Sequence, residues 1–441
     1  MKKIYKKAAA IGVGLIVISG NIVPAFAEET SKSSEAIVKQ TITTQNYGQA
    51  VDGKPIITLD IIIKSAIDNS DKLALKSKEI SMYRNKMDLQ DKTNDFYESI
   101  GQKKYDFPYD KLELQEKQTK QSKDFLADQI ANDITGKYNA IILKQIDLNK
   151  AKDNLEIKNK ELADVRTKVS VGMATDNQLN DKGIEIKALQ DDIKAKEDSL
   201  KNATDYLGVL TNFNLSNYTL DQNIEYDVFR IEGSEEEYFD DKIDTYLKYN
   251  DEMIKLSKDY LKELKDDGIK NILKNDIPSI PDKTKFAGVD KTTGIPNFDS
   301  NGYALALIGY MQNQQIFLKK LDAYGSYLDG QYNLEESRVK IDDARKNLKN
   351  GLKECYSTLL DLENKINTVK EQINSANTKL TYAKSQVDIG MMTENNYKAA
   401  VLKSKDLDTS LRQLINTYNT LKESIQKPWI LKTKQNNIGD K

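Results

Sequence analysis

An all-α protein built from two copies of a long antiparallel helical hairpin is what this sequence predicts, and three observations predict it. Long stretches run with almost no Pro or Gly. Within them apolar residues recur at a spacing of seven, which marks a narrow coiled-coil seam rather than the broad apolar face of a globular helix. Two short interruptions, "KVSVGMATDNQL" at 168–179 and "QVDIGMMTENNY" at 386–397, break the pattern in the same way.

Composition supports long, solvated helices. The chain has 441 residues, of which 30% are charged with signs that nearly cancel (formal net charge -2), and only 39% are apolar. Seven Pro and one Trp are few for this length. A nearly neutral chain with interspersed signs gives no reason to expect a nucleic-acid partner. There is no His, so there is no imidazole base or His metal ligand. The one thiol, Cys355, cannot form an intramolecular disulfide or a paired-Cys metal site. It reads as a small buried hydrophobe. No catalytic residue, metal or cofactor is expected. A carboxylate-dependent hydrolase would rest on the abundance of Asp and Glu alone, and narrow-stripe helices offer no obvious concave pocket.

Taken in order, residues 1–27 combine Lys2, Lys3, Lys6 and Lys7 with the apolar run "AAAIGVGLIVISG" and small residues at Ala25 to Ala27. That is the build of a cleaved secretory signal peptide, too short in its apolar run for a spanning helix. No Cys follows the run, so a lipid-anchored N-terminus is not indicated. Residues 28–57 read as a flexible polar lead. A helix starts at Thr58, a candidate N-cap, and is interrupted near Asn69-Ser70. "GQKKYDFPYD" at 101–110 interrupts again. From about Lys111 to Val171 the stripe is Ile141, Leu148, Leu155, Leu162 and Val169; a helix of that size would reach roughly 90 Å. Beyond the Gly172 interruption the pattern resumes with Ile186, Ile193, Leu200 and Leu207, so Gly172 marks the bend of a hairpin.

The second half repeats the first. Setting Gly172 on Gly390 places Tyr138 on Tyr356 and the stripe on Leu359, Ile366, Ile373, Leu380 and Val387. Further upstream, "AIDNSDKLALKSKEI" aligns with "YLKYNDEMIKLSKDY". The chain reads as an internal duplication: a first repeat at 58–211, a linker at 212–236, and a second repeat at 237–427. The second repeat carries an irregular, Pro-containing insertion at about 268–305, and a tail follows at 428–441. Trp429 in "KPWI" is expected to pin that tail against neighbouring helices, the alternative being a place at an interface.

These residues carry a resemblance. "TLDIIIKSAIDNSDKLALKSKEI" looks like the opening segment of the TolC-type outer membrane efflux family. "VGMATDNQL" and "IGMMTENNY" resemble that family's hairpin tips, with Gly, a hydrophobe, and Thr or Ser three residues after the Gly. The resemblance covers nearly all of 58–426. It implies a homotrimer whose three chains form a hollow α-barrel, with a β-barrel between the helices crossing the outer membrane. It also implies tips that meet an adaptor protein of an inner-membrane pump or a type I secretion system. On this reading the adaptor-facing residues are Val171, Gly172, Met173 and Thr175, with Ile389, Gly390, Met391 and Thr393 in the second half.

Physical chemistry suits the role. Gly permits a tight turn and close approach of another chain, and an exposed Met is flexible and polarizable. Thr175 and Thr393, each followed by an acid, suit the start of a returning helix. An efficient turn alone would account for part of this pattern. Two departures from the family stand out. A spanning barrel needs paired strands of about 9–11 residues, for which "GQKKYDFPYD" leaves little room, so the β-barrel is expected to be short, reduced or absent. One and two turns past the second bend stand Asn396 and Ala399, so a carboxylate gate there is not supported. The expected protein is exported, lies in the outer membrane or cell envelope, and acts as an efflux or export duct. The alternative is an exported coiled-coil structural or adhesive surface protein that has lost the pore.

Overall fold

A computed structural model describes residues 48–51, 53–271, 277–289 and 292–431. The expected signal peptide, 1–27, and the tail beyond 431 lie outside the described residues. The heptad-patterned stretches form seven α-helices among those residues: α1 (Leu59–Asp68), α2 (Asp71–Ser99), α3 (Phe107–Ser170), α4 (Asp176–Thr211), α5 (Glu235–Asp266), α6 (Ser300–Asp388) and α7 (Glu394–Gln426). With 64 and 89 residues, α3 and α6 are the long arms of two hairpins. The strands are short: β1 (Gly48–Val51), β2 (Lys54–Ile57), β3 (Thr219–Leu220), β4 (Ala287–Val289) and β5 (Pro296–Phe298).

By compactness the chain divides into two units. One comprises Leu75–Lys123 and Asp244–Asn347. Its core joins Tyr105, Phe107, Tyr260, Leu261, Leu264, Tyr327 and Leu334. The Phe107 and Tyr260 rings stack in parallel with centroids 4.0 Å apart, and Tyr105 meets Tyr260 edge-on at 5.7 Å. These rings anchor the short turn between α2 and α3. The Tyr105 hydroxyl donates to Asp267 at 2.9 Å, and Lys103 also pairs with Asp267. Arg345 on α6 pairs with Asp244 and Asp251 on α5. Buried Glu116 is held by Arg84 at 2.7 Å and Lys120 at 3.0 Å; although burial opposes it, these bonds keep its carboxyl below the usual range.

In this unit α2 and α6 each carry two apolar stripes. The inner ones, Ile80 and Met87 on α2 and Tyr327, Leu334 and Ile341 on α6, are buried or half-buried. The outer ones, Leu75, Met82, Leu89 and Phe96 on α2 and Met311, Leu318, Tyr332 and Val339 on α6, are exposed. The insertion read as irregular at about 268–305 holds a 3-10 turn (Lys283–Phe286), the β4–β5 hairpin and the start of α6. Each of these two strands has three residues. A strand must have about 9–11 to cross a bilayer, so no described strand can serve a membrane barrel. Among the described residues no helix is long and apolar enough to cross a membrane.

The other unit contains the described residues up to Ala74, Asp124–Ile243, and the chain from Leu348. Here the stretch read as a flexible lead contributes β1 and β2, which pair antiparallel, and β2 pairs parallel with β3 of the linker. Tyr138 explains the arrangement. Its buried hydroxyl lies 3.0 Å from the Ile57 carbonyl and 2.9 Å from that of Asp221 and shares its proton between them. Around it pack Ile57, Ile62, Ile134, Ile142 and Leu207; full burial of each such side chain contributes about 1.5–3 kcal/mol. Thr58 stands at the N-cap of α1 but makes no side-chain cap bond. The break after α1 has its own use: Asn69 donates to the Leu210 carbonyl at 3.2 Å, and Ser65 to that of Thr211 at 2.6 Å. Both satisfy carbonyls left over at the end of α4.

Past β3 the linker runs extended along α7 and α6. Arg412 donates to the Gln222 carbonyl, Asn419 to that of Glu225 at 2.8 Å, and the Phe229 amide donates to the Tyr418 hydroxyl at 2.7 Å. The Tyr356 hydroxyl accepts from the Ile231 amide at 3.4 Å, and Arg230 pairs with Glu363. Cys355 is half-buried, and burial pushes its thiol up. Trp429 pins the chain that follows α7 onto α3. Its ring stacks on Phe125 at 3.6 Å, its indole N–H donates to Asp128 at 2.8 Å, and its carbonyl accepts from Gln129 at 2.7 Å.

Candidate functional site

The two turns lie at the ends of the hairpins. In the first, the Met173 amide donates to the Lys168 carbonyl at 2.7 Å and the Gly172 amide to that of Val169 at 3.0 Å. In the second, Met391 donates to Gln386 at 2.8 Å and Gly390 to Val387 at 2.9 Å. Both are Schellman motifs, which need a left-handed residue just past the helix. Gly172 and Gly390 supply it at φ +76° and +78°.

Each returning helix is capped by its Thr. At Thr175 the cap is reciprocal: its hydroxyl accepts from the Gln178 amide at 3.2 Å, and the Gln178 side chain accepts from the Thr175 amide at 2.9 Å. At Thr393 the hydroxyl accepts from the Asn396 amide at 3.2 Å, without a return bond. Asn is one methylene shorter than Gln, which removes the reach a capping box needs.

The Met residues have no part in this chemistry. A Schellman turn often seats its residue two past the cap against an apolar side chain one turn earlier. That partner position holds Lys168 in the first turn and Gln386 in the second. Accordingly Met173 and Met391 are 78% and 76% exposed, flanked by Val171 at 64% and Ile389 at 69%. The structure gathers Val171, Gly172, Met173 and Thr175 at one turn and Ile389, Gly390, Met391 and Thr393 at the other, with apolar side chains outward at both.

Behind the first turn the arms are zipped in antiparallel register. Lys182 reaches Glu161 at 3.0 Å and Lys158 reaches Glu185 at 2.9 Å. Further back, Lys196 pairs with Asp147 at 2.6 Å, and Lys144 donates to Ser199 at 2.6 Å. Bonds from Lys182 and then Lys158 hold the Glu185 carboxyl below its usual range. For Glu161, burial works the other way and is outweighed by bonds from the same two lysines. On the other side of α3 runs α7: Asn395 donates to the Ile157 carbonyl at 3.4 Å, and Lys398 pairs with Glu156 at 2.9 Å. From Ile157, α3 continues to Ser170, roughly 20 Å at 1.5 Å per residue. The first turn therefore projects past the second by roughly 10–15 Å.

Sequence reasoning missed the exposed outer stripes of α2 and α6. Their signal was present, since Leu75, Met82, Leu89 and Phe96 are spaced by seven. It was masked by the buried stripe that runs beside it on the same helix.

The described chain is thus two long helical hairpins with matched turns and short connecting strands. No protein-family model and no curated protein matches the chain. Solved structures do. The chain is similar to CusC, studied for conformational changes accompanying folding and transmembrane channel formation, with a TM-score of 0.51 and 12% identity over 92% of this chain and 99% of that one. It is also similar to the Campylobacter jejuni CmeC outer membrane channel, with a TM-score of 0.50 and 11% identity over 92% and 94% of the two chains. The fold is that of the TolC-type outer membrane efflux proteins.

Proposed function

We propose that this protein is a non-enzymatic export duct: three chains close into a hollow helical barrel, and the two turns of each chain dock an adaptor protein that delivers substrate from an inner-membrane pump or a type I secretion system. The observation that carries the docking role is the pair of exposed Met residues at positions where turn chemistry has no use for them. In this reading residues 1–27 are the cleaved export signal, and 58–211 and 237–427 are the two repeats, joined by 212–236.

Assembly is supported by the outer stripes. A closed ring of identical chains is built from one heterologous contact, so each chain must present two different faces. The α2 and α6 stripes are two such faces, each apolar at the heptad spacing that another helix fits. Light scattering on the mature protein in detergent and in buffer tests this. A trimer is expected, and a clean monomer at micromolar concentration sinks the reading. For docking, Gly172→Trp together with Gly390→Trp should leave the helical circular dichroism nearly unchanged while export stops; export that survives both changes reduces the tips to turns.

The alternative, an exported coiled-coil surface protein without a pore, is favoured by one observation, the three-residue strands of the β4–β5 hairpin. Planar-bilayer recording separates the two, since a surface coiled coil gives no discrete conductance.

A further inference from the structure

The internal repeat points to a contact that a single chain cannot make. Setting Gly172 on Gly390 lays α3 on α6 and α4 on α7. Within the chain, α3 and α7 pack antiparallel. Lys150 pairs with Asp406, Asp153 with Lys405 at 2.6 Å and Glu156 with Lys398 at 2.9 Å. Asn395 adds a bond to the Ile157 carbonyl at 3.4 Å. The equivalent of this seam joins α6 to α4. In one chain α4 is zipped to α3, and Lys384 of α6 lies over the Tyr397 ring of α7 at 5.8 Å. So α3 and α7 stand between the two helices, and only another copy can bring them together.

Carried through the repeat, the seam leaves matched groups on both open faces. Asp153 falls on Glu371 and Lys405 on Lys187, so the opposite charges are kept. Ile157 falls on Ser375 and Asn395 on Asn177, which keeps the amide donor. The other two links lose their charge: Glu156 and Lys398 become Asn374 and Asn180, and Lys150 and Asp406 become Thr368 and Ala188. Lys187 and Glu371 are both exposed and make no ion pair among the described residues. Ile184, just before Lys187 on the same face, is 60% exposed, whereas its equivalent Leu402 on α7 is half-buried. Tyr382, seven residues from Ser375 along α6, is also exposed. These faces have the layout of a filled seam without its filling, and their complementary charges fit a head-to-tail contact between identical chains.

We propose that α4 of one copy packs antiparallel on α6 of the next, Lys187 pairing with Glu371 and the Asn177 side chain donating to the Ser375 carbonyl. This pairing rests on the assembly proposed above and gives its register. With the other charged positions neutral, Lys187 and Glu371 carry the charge specificity of the seam. A mixture of isotope-labelled and unlabelled mature chains, treated with a carbodiimide that joins a lysine to a touching carboxylate, tests it. The Lys187–Glu371 cross-link should appear in mixed-isotope peptides, while the Lys405–Asp153 cross-link, internal to the chain, should not. Lys187→Glu and Glu371→Lys should each raise the concentration of half-dissociation, read by light scattering, about tenfold with unchanged helical circular dichroism. Both together should bring it back to within about threefold of the native value. An oligomer that forms without the mixed-isotope link, or a double reversal no better than the single ones, overturns the contact alone. A monomer under all conditions overturns the assembly and the contact together.

Discussion

Two kinds of turn reverse the helices of this protein, and they spend their side chains differently. Between α2 and α3, Tyr105 is buried against Tyr260, and Lys103 and Tyr105 both bind Asp267. At the two hairpin tips the backbone is closed as carefully, by paired amide bonds and a Thr cap, but Val171, Met173, Ile389 and Met391 face outward. A turn that only reverses the chain consumes its own apolar groups. The tips leave theirs exposed, which is the observation the proposed docking role rests on.

Five changes break or sharpen the contrast. The largest effect on stability belongs to the anchored turn: Tyr105→Ala should cost about 3 kcal/mol in urea denaturation, as for a large buried ring. Next is Thr175→Ala, at about 1 kcal/mol for a lost N-cap. Thr393→Ala should cost less, because its cap has no return bond. Acid should loosen the first hairpin by a smaller amount. Glu161 and Glu185 are held below their usual values in the folded chain. Their contribution is therefore complete above the unfolded value near ~4.3 and is lost as pH falls through the lower folded ones. Thermal melts between pH 6 and 3 should decline less in the Glu161→Gln, Glu185→Gln variant. Smallest of all, Met173→Ser with Met391→Ser should move stability by no more than ~0.5 kcal/mol while abolishing pull-down of the adaptor. A stability loss like that of Tyr105→Ala would show that these residues are structural.

Much of this architecture was legible in the residues. Spacing of seven gave the long arms, and Gly-Met-x-Thr gave both turns, because a left-handed Gly and a Thr cap are local requirements written at fixed offsets. Trp429 packs on the neighbouring helix α3, as its place just after the last helix led one to expect. What local pattern could not carry was pairing over distance. Strand β2 pairs not only with its neighbour β1 but with the linker strand β3, far along the chain, and the Tyr138 hydroxyl binds the Ile57 carbonyl at its end. Likewise Thr58 has the right residue type and backbone for a cap but makes no cap bond. The proposed docking role of the tips depends on a second molecule, which no single sequence contains.

The clasp of Trp429 on Phe125, Asp128 and Gln129 also sets an order of events in time. Gln129 and Trp429 are 300 positions apart in sequence, so the face of α3 that Phe125 belongs to stays unsealed until residue 429 has been made and brought back. A chain threaded N-terminus first through a narrow pore would meet that condition only after nearly all of it had passed. The late clasp thus makes the closure of that face one of the last steps of folding.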